Sequence, residues 1–190
     1  WVYRNSRAHS SKPIILYDWQ PSRRADHPRE FLKAFSGIAI TDGYQVYHKL
    51  SKERPDLVIG GYWIHARRPF ADFIKSIKGS ADGTIAHKAY SLITEMLHID
   101  NGFDDLPSDD RLKQRQLILT EKVDAYFKWG KLKYNQVTHN STIGKALAYS
   151  IHQEPYLRTF LTDGDIPMDN NYAEQAIRPF TSGRKKFRAN

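Results

Sequence analysis

Gly37-Ile38-Ala39-Ile40-Thr41-Asp42-Gly43 is an uncharged, largely apolar run that stops abruptly at Asp-Gly. It shows no alternation of apolar and polar residues, so it reads as a strand covered on both faces. Such a strand belongs to a sheet with helices packed on it. Asp-Gly is an ordinary turn signal. An aspartate leaving a buried strand also stands on the sheet edge where α/β proteins place their sites. Both readings of Asp42 are open on local sequence.

Working outward, Trp1-Val2-Tyr3 and Pro13-Ile14-Ile15-Leu16-Tyr17 read as earlier strands, the second ending in the polar stretch Asp18 to Arg29. Downstream, Asp56-Leu57-Val58-Ile59-Gly60-Gly61 reads as another, with the two glycines letting the chain turn sharply out of it. Residues 1–61 are therefore expected to give at least three strands of one sheet. Between these runs, Tyr44, Tyr47 and His48 fall on a helix after Asp42, where His48 reads as a surface side chain.

From Trp63 the period changes. Phe70, Phe73, Ile74 and Ile77 recur at helical spacing up to Gly79, and three more stripes follow. They are Ile85, Ala89, Leu92, Ile93, Met96, Leu97; then Leu112, Leu119, Val123, Tyr126, Phe127; then Ile143, Ala146, Leu147, Ile151, with Ser141 as N-cap. Pro155 breaks the last and starts a short helix carrying Tyr156, Leu157, Phe160 and Leu161. The polar links Asp100–Asp110 and Lys131–Asn140 read as turns, and a last helix is expected near 169–178. The order is sheet and helices, then an all-helical block, then a final helix: an α/β arrangement with an insertion.

The 190 residues carry 29 Lys and Arg against 21 Asp and Glu, a net charge of 29 − 21 = +8, which favours a polyanionic partner, nucleic acid first. No apolar run approaches the ~18 residues that cross a bilayer. There is no cysteine, which removes disulfides and thiolate metal sites. The chain starts at Trp1 inside a strand-like run and stops at Asn190 after a basic run, the pattern expected of a fragment.

Two more clusters carry chemistry. In Asp169-Asn170-Asn171-Tyr172-Ala173-Glu174-Gln175-Ala176-Ile177-Arg178-Pro179, Asp169 is a good N-cap, and Asn171, Glu174 and Arg178 share one helical face. Glu174 reads either as a surface partner of Arg178 or as a site carboxylate. In Trp63-Ile64-His65-Ala66-Arg67-Arg68-Pro69-Phe70, His65 reads as a packed or capping imidazole or as part of a site. The guanidinium forks of Arg67 and Arg68 suit phosphate oxygens. A lone His65 forms no zinc site.

Taken in order, these clusters resemble the catalytic domain of transposases of the insertion sequence 66 family. The matching stretches are Thr41-Asp42-Gly43-Tyr44 with Tyr47, and Trp63-x-His65-Ala66-Arg67-Arg68 with Phe70. Ile143-Gly144-x-Ala146-Leu147-x-Tyr149 and Leu157 to Gly164 follow. Last come Asp169-Asn170-Asn171-x-Ala173-Glu174-x-Ala176-Ile177-Arg178-Pro179 and Gly183-Arg184-Lys185. The likeness spans nearly the whole chain.

The resemblance implies a ribonuclease H-like mixed sheet flanked by helices, with a long all-helical insertion before the last catalytic helix. Residues 1–78 would be the first part of the core, 79–165 the insertion, and 166–190 the final helix and basic tail. Asp42 matches the second aspartate of an Asp-Asp-Glu site and Glu174 its glutamate, 174 − 42 = 132 residues later. The first aspartate lies on a strand before Trp1, so a fragment with only these two carboxylates is expected to be inactive alone. Tyr62 stands where the family often has a cysteine, so no Cys/His metal site carries over.

In the complete enzyme two Mg²⁺ (or Mn²⁺) ions ~3.5–4 Å apart would serve DNA strand cleavage and strand transfer at transposon ends. DNA contacts are expected at His65, Arg67, Arg68, Arg178, Arg184, Lys185 and Lys186, with Asn170 and Asn171 supporting the site. The implied partners are transposon-end and target DNA and further copies of the protein, with no membrane. The implied location is the bacterial cytoplasm, at the nucleoid when active. A non-catalytic DNA-binding remnant and another ribonuclease H-like nuclease are the alternatives.

Overall fold

The computed structural model describes residues 1–5, 14–171 and 174. Among the described residues, the first sixty-one hold four strands and two helices. Strands β1 (Val2–Arg4) and β2 (Ile15–Tyr17) pair antiparallel. Helix α1 spans Asp26–Phe31. Strands β3 (Gly37–Thr41) and β4 (Leu57–Gly61) pair parallel, joined through helix α2 (Gln45–Glu53). This βαβ unit is why the apolar run ends at Thr41 and restarts at Leu57: parallel strands require a crossover.

The expectation of three strands in one sheet is corrected. Among the described residues the strands form two separate two-stranded ladders. Coverage on both faces also fails for β2, where Leu16 and Tyr17 are half exposed. An apolar run alone does not reveal whether a second layer exists to cover it. The polar stretch before Arg29 hides α1, because Pro28 sits near that helix's start, where its missing N–H costs nothing.

From Trp63 to Leu161 the chain is largely helical. Helix α3 (Trp63–Ser76) is followed by α4 (Ile85–Asn101), α5 (Ser108–Gln114), a π-helical stretch at Arg115–Leu119, α6 (Thr120–Tyr134), α7 (Thr142–His152) and α8 (Glu154–Leu157). A 3-10 turn at Thr159–Leu161 ends the series. The Ser141 hydroxyl accepts from the Gly144 amide at 3.0 Å, the N-cap expected of it. Both expected turns are shorter than their polar composition suggests, since α4 runs through Asn101, α5 starts at Ser108 and α6 runs to Tyr134.

One buried cluster unites α3 with the later helices. Trp63 is fully buried, its indole N–H donates to Leu157 O at 2.9 Å, and its ring meets Tyr126 edge-on at 5.4 Å. Ala66, Phe70, Ile93, Leu119, Val123, Phe127, Leu147, Phe160 and Met168 belong to it, with Ile38 and Ile40 of β3 packed against it. Deleting an indole from such a place costs ~3–5 kcal/mol.

Gly60 serves packing rather than turning, since its φ is not positive. A Cβ there would meet Ile40 Cδ1 at 2.6 Å and Thr159 Cβ at 3.3 Å, so the 3-10 turn lies flat on β4.

The segment after the 3-10 turn is held by a buried arginine. Arg115 pairs with Asp100 through two bonds, 2.6 and 3.0 Å. Its remaining nitrogen donates to the carbonyls of Gly164 (3.1 Å) and Ile166 (2.8 Å). Gly164 packs so closely on α5 that a Cβ would stand 1.9 Å from Ser108 O. Burial raises the Asp100 carboxyl above its ordinary value, and Arg115 offsets part of that rise.

Candidate active site

Because β3 and β4 are parallel, both end on the same side of their ladder. Thr41 pairs with Gly61, so Asp42 and Tyr62 leave the two strands side by side. Gly43 then turns with φ +82°, a conformation only glycine adopts without strain. The Tyr44 amide donates to Asp42 Oδ1 at 3.2 Å. This is the Asp-Gly turn of the local reading, and it fixes a carboxylate at the strand exit; the two readings of Asp42 are compatible.

After Tyr62, α3 begins at once and puts His65 in its first turn. The chain returns to the same place through Met168, whose carbonyl accepts from the Trp63 amide at 2.8 Å. Asn170 is buried, and its Nδ2 lies 3.2 Å from His65 Nε2 and 3.0 Å from Glu174 Oε1. Glu174 is helical, its amide donating to Asn170 O at 2.9 Å. Arg68 donates to Glu174 Oε1 at 3.2 Å, which brings an arginine of α3 to the glutamate.

His65 lies within the electrostatic reach of both carboxylates. Burial lowers the pKa of His65 and nearby Arg68 lowers it further, while the charges of both Asp42 and Glu174 pull it back up. Tyr62 is pushed up to about 12, chiefly by burial, with Asp169 adding to the rise, Arg4 opposing it and Asp42 contributing last. The structure thus gathers Asp42, His65, Arg68, Asn170 and Glu174 from three parts of the chain.

Other expected residues lie elsewhere. Arg67 turns to α4, where it donates to Thr94 Oγ1 at 3.2 Å and its guanidinium lies 5.3 Å from the centre of the Tyr90 ring. Asn171 bonds back to Asp169, its amide on Oδ1 at 3.0 Å and its side chain on Oδ2 at 2.6 Å. Arg178, Arg184, Lys185 and Lys186, and most of the helix expected near 169–178, lie outside the described residues. His48 is not a plain surface side chain: its ring stacks on Tyr156 at 3.8 Å.

Gln153 has no place in the sequence motifs, and Tyr149 enters them only as the end of a matching stretch, with no role attached. Tyr149 and Gln153, one turn apart on α7, both reach Gly43. A Cβ on Gly43 would stand 2.6 Å from the Tyr149 hydroxyl and 3.4 Å from Gln153 Oε1. Their i, i+4 spacing puts them together on α7, off the apolar stripe of Ile143, Ala146, Leu147 and Ile151.

No solved structure matches the chain. Three relatives from Sinorhizobium fredii (strain NBRC 101917 / NGR234) do. Uncharacterized protein y4qI is 31% identical over 97% of this chain and 35% of its own length. Uncharacterized protein y4jD is 29% identical over 91% and 34%, and uncharacterized protein y4hP is 24% identical over 94% and 34%. The chain thus spans about a third of the length of these curated relatives. Residues 1–189 match the family described as Transposase IS66 family, and the chain belongs to that family.

Proposed function

We propose that this chain is part of the catalytic domain of an Asp-Asp-Glu transposase, in which Asp42 and Glu174 supply carboxylates to one divalent-ion site. The observation that carries the reading is geometric: the Thr41–Gly61 pairing sets Asp42 beside Tyr62, and α3 then carries His65 to the Asn170 amide that bonds Glu174, 132 residues after Asp42.

The donor chemistry fits a hard cation. Asp42 Oδ1 and Glu174 Oε1 are engaged, while the second oxygen of each makes no hydrogen bond within the described residues. Carboxylate oxygens with water suit Mg²⁺. Among the described residues no group of three His, Cys, Asp or Glu could hold a metal, so two ions would need the further aspartate that the reading puts upstream of Trp1. When bound, the divalent ions neutralise phosphate charge and activate the attacking oxygen.

The chain's own residues do the positioning. Asn170 and Arg68 hold Glu174 Oε1, the Asp42 turn holds its carboxylate at the strand exit, and neutral His65 anchors Asn170. In this reading the two ladders are parts of one ribonuclease H-like mixed sheet. Residues 79–165 are then its helical insertion. Arg178, Arg184, Lys185 and Lys186 contact DNA phosphates, which reward cations regardless of base sequence. Active complexes would contain several copies.

The Arg68–Glu174 ion pair favours a second reading, a DNA-binding remnant whose glutamate is structural. Cleavage of the element's terminal DNA by the full-length protein separates the two. The catalytic reading expects Mg²⁺-dependent cleavage that Asp42→Asn and Glu174→Gln each abolish with DNA binding retained. Cleavage that survives either substitution, or no cleavage by the unaltered protein, contradicts it.

A further inference from the structure

The helical segment contributes polar groups to the site that the carboxylate reading leaves unexplained. Tyr149 and Gln153 stand on α7, an eleven-residue helix fixed at its start by the Ser141 cap. Both press on the backbone of Gly43, directly after Asp42. The Tyr149 hydroxyl therefore stands at the Asp42 turn, within the electrostatic reach of Asp42 and of Arg68, the latter bonded to Glu174. Gln153 is buried at 9% exposure.

Neither the Tyr149 hydroxyl nor the Gln153 amide makes a hydrogen bond within the described residues. Both polar ends stand at the turn after Asp42 with no partner among the described residues, which leaves them available to a ligand there.

We propose that Tyr149 and Gln153 form a phosphate-facing wall of the Asp42–Glu174 site, the Tyr149 hydroxyl donating a hydrogen bond to a non-bridging oxygen of the DNA backbone. The proposal rests on the transposase reading and deepens it by assigning the helical segment a part in substrate binding. A hydroxyl is the right donor here. It is neutral, so it adds no charge to compete with a divalent ion, and a phenol ring is stiff enough to hold its donor in place. Burial, reinforced by Asp42 and eased by Arg68, raises the Tyr149 pKa, so the group keeps the proton it must donate. The same close approach explains Gly43: any side chain there would displace the Tyr149 hydroxyl.

The test uses the full-length protein and the terminal DNA of its own element. Tyr149→Phe removes one oxygen and should leave the melting temperature unchanged, while cleavage slows on the order of 10–100-fold, as for loss of a positioned donor. Binding supplies a readout independent of turnover. A methylphosphonate at the cleavage position should weaken binding by the unaltered protein and weaken binding by Tyr149→Phe less. If Tyr149→Phe cleaves normally while Asp42→Asn does not, the proposal is wrong and the transposase reading stands. If Asp42→Asn also cleaves normally, both fall. An equal methylphosphonate penalty in the two proteins, or a DNA adduct on Tyr149, overturns the proposal.

Discussion

Asn170 Nδ2 lies 3.2 Å from His65 Nε2 and 3.0 Å from Glu174 Oε1, so one amide nitrogen joins α3 to a residue 105 positions later. Spending both of its protons this way requires His65 Nε2 to accept, which fixes a neutral imidazole protonated at Nδ1.

That relationship has a pH consequence. Burial and Arg68 hold the His65 pKa below its ordinary value of about 6.5. The folded state therefore favours the neutral ring. Its contribution to stability is complete above that ordinary value and is lost as pH falls through the lowered one. Nuclear magnetic resonance of the ring should show titration below about 6.5, moving upward in Asn170→Ala. Titration above the ordinary value would mean that the Asn170 amide faces the other way.

The Arg115–Asp100 pair makes a prediction about stability. Arg115→Ala leaves a buried carboxylate and at least two carbonyls without their donor, and should cost ~3–5 kcal/mol. Replacing the pair together, Arg115→Met with Asp100→Leu, should recover much of the loss, because no charge is then left buried alone. Thermal unfolding checks both. A double variant no more stable than Arg115→Ala would mean that the carbonyl bonds, not the charge, dominate.

Much of the chain was legible because its signals are local. The run Gly37–Thr41 forms a strand within its expected limits, Ser141 caps as expected, and Pro155 opens a short helix. What escaped depends on distant partners. The π-helical stretch at Arg115–Leu119 has no periodicity of its own, and Arg115 looks like a surface cation until Asp100 and the 160–166 carbonyls close around it. Arg67 and Arg68 are adjacent and alike in sequence, yet one docks on α4 and the other faces Glu174, which only the rotation of α3 decides. The separation of the strands into two ladders depends on pairing, which apolar runs do not encode.

The basic run after Gly183 makes a prediction about binding. Changing Arg184, Lys185 and Lys186 together to alanine in the full-length protein should weaken DNA binding evenly across sequences. It should also reduce the slope of log affinity against log salt by roughly 2–3 if all three touch phosphates. An unchanged slope would make these residues solubilising only.

The central claim is that Asp42 and Glu174 serve one ion, and iron-mediated backbone cleavage tests it most directly. Fe²⁺ placed in a Mg²⁺ site of the full-length protein generates, with ascorbate and peroxide, short-lived oxidants that cut the chain beside the ion. The account predicts cuts near both Asp42 and Glu174, suppressed together by excess Mg²⁺ and by either Asp42→Asn or Glu174→Gln. Cutting beside one carboxylate but not the other, or cuts that Asp42→Asn removes only at its own position, would contradict it.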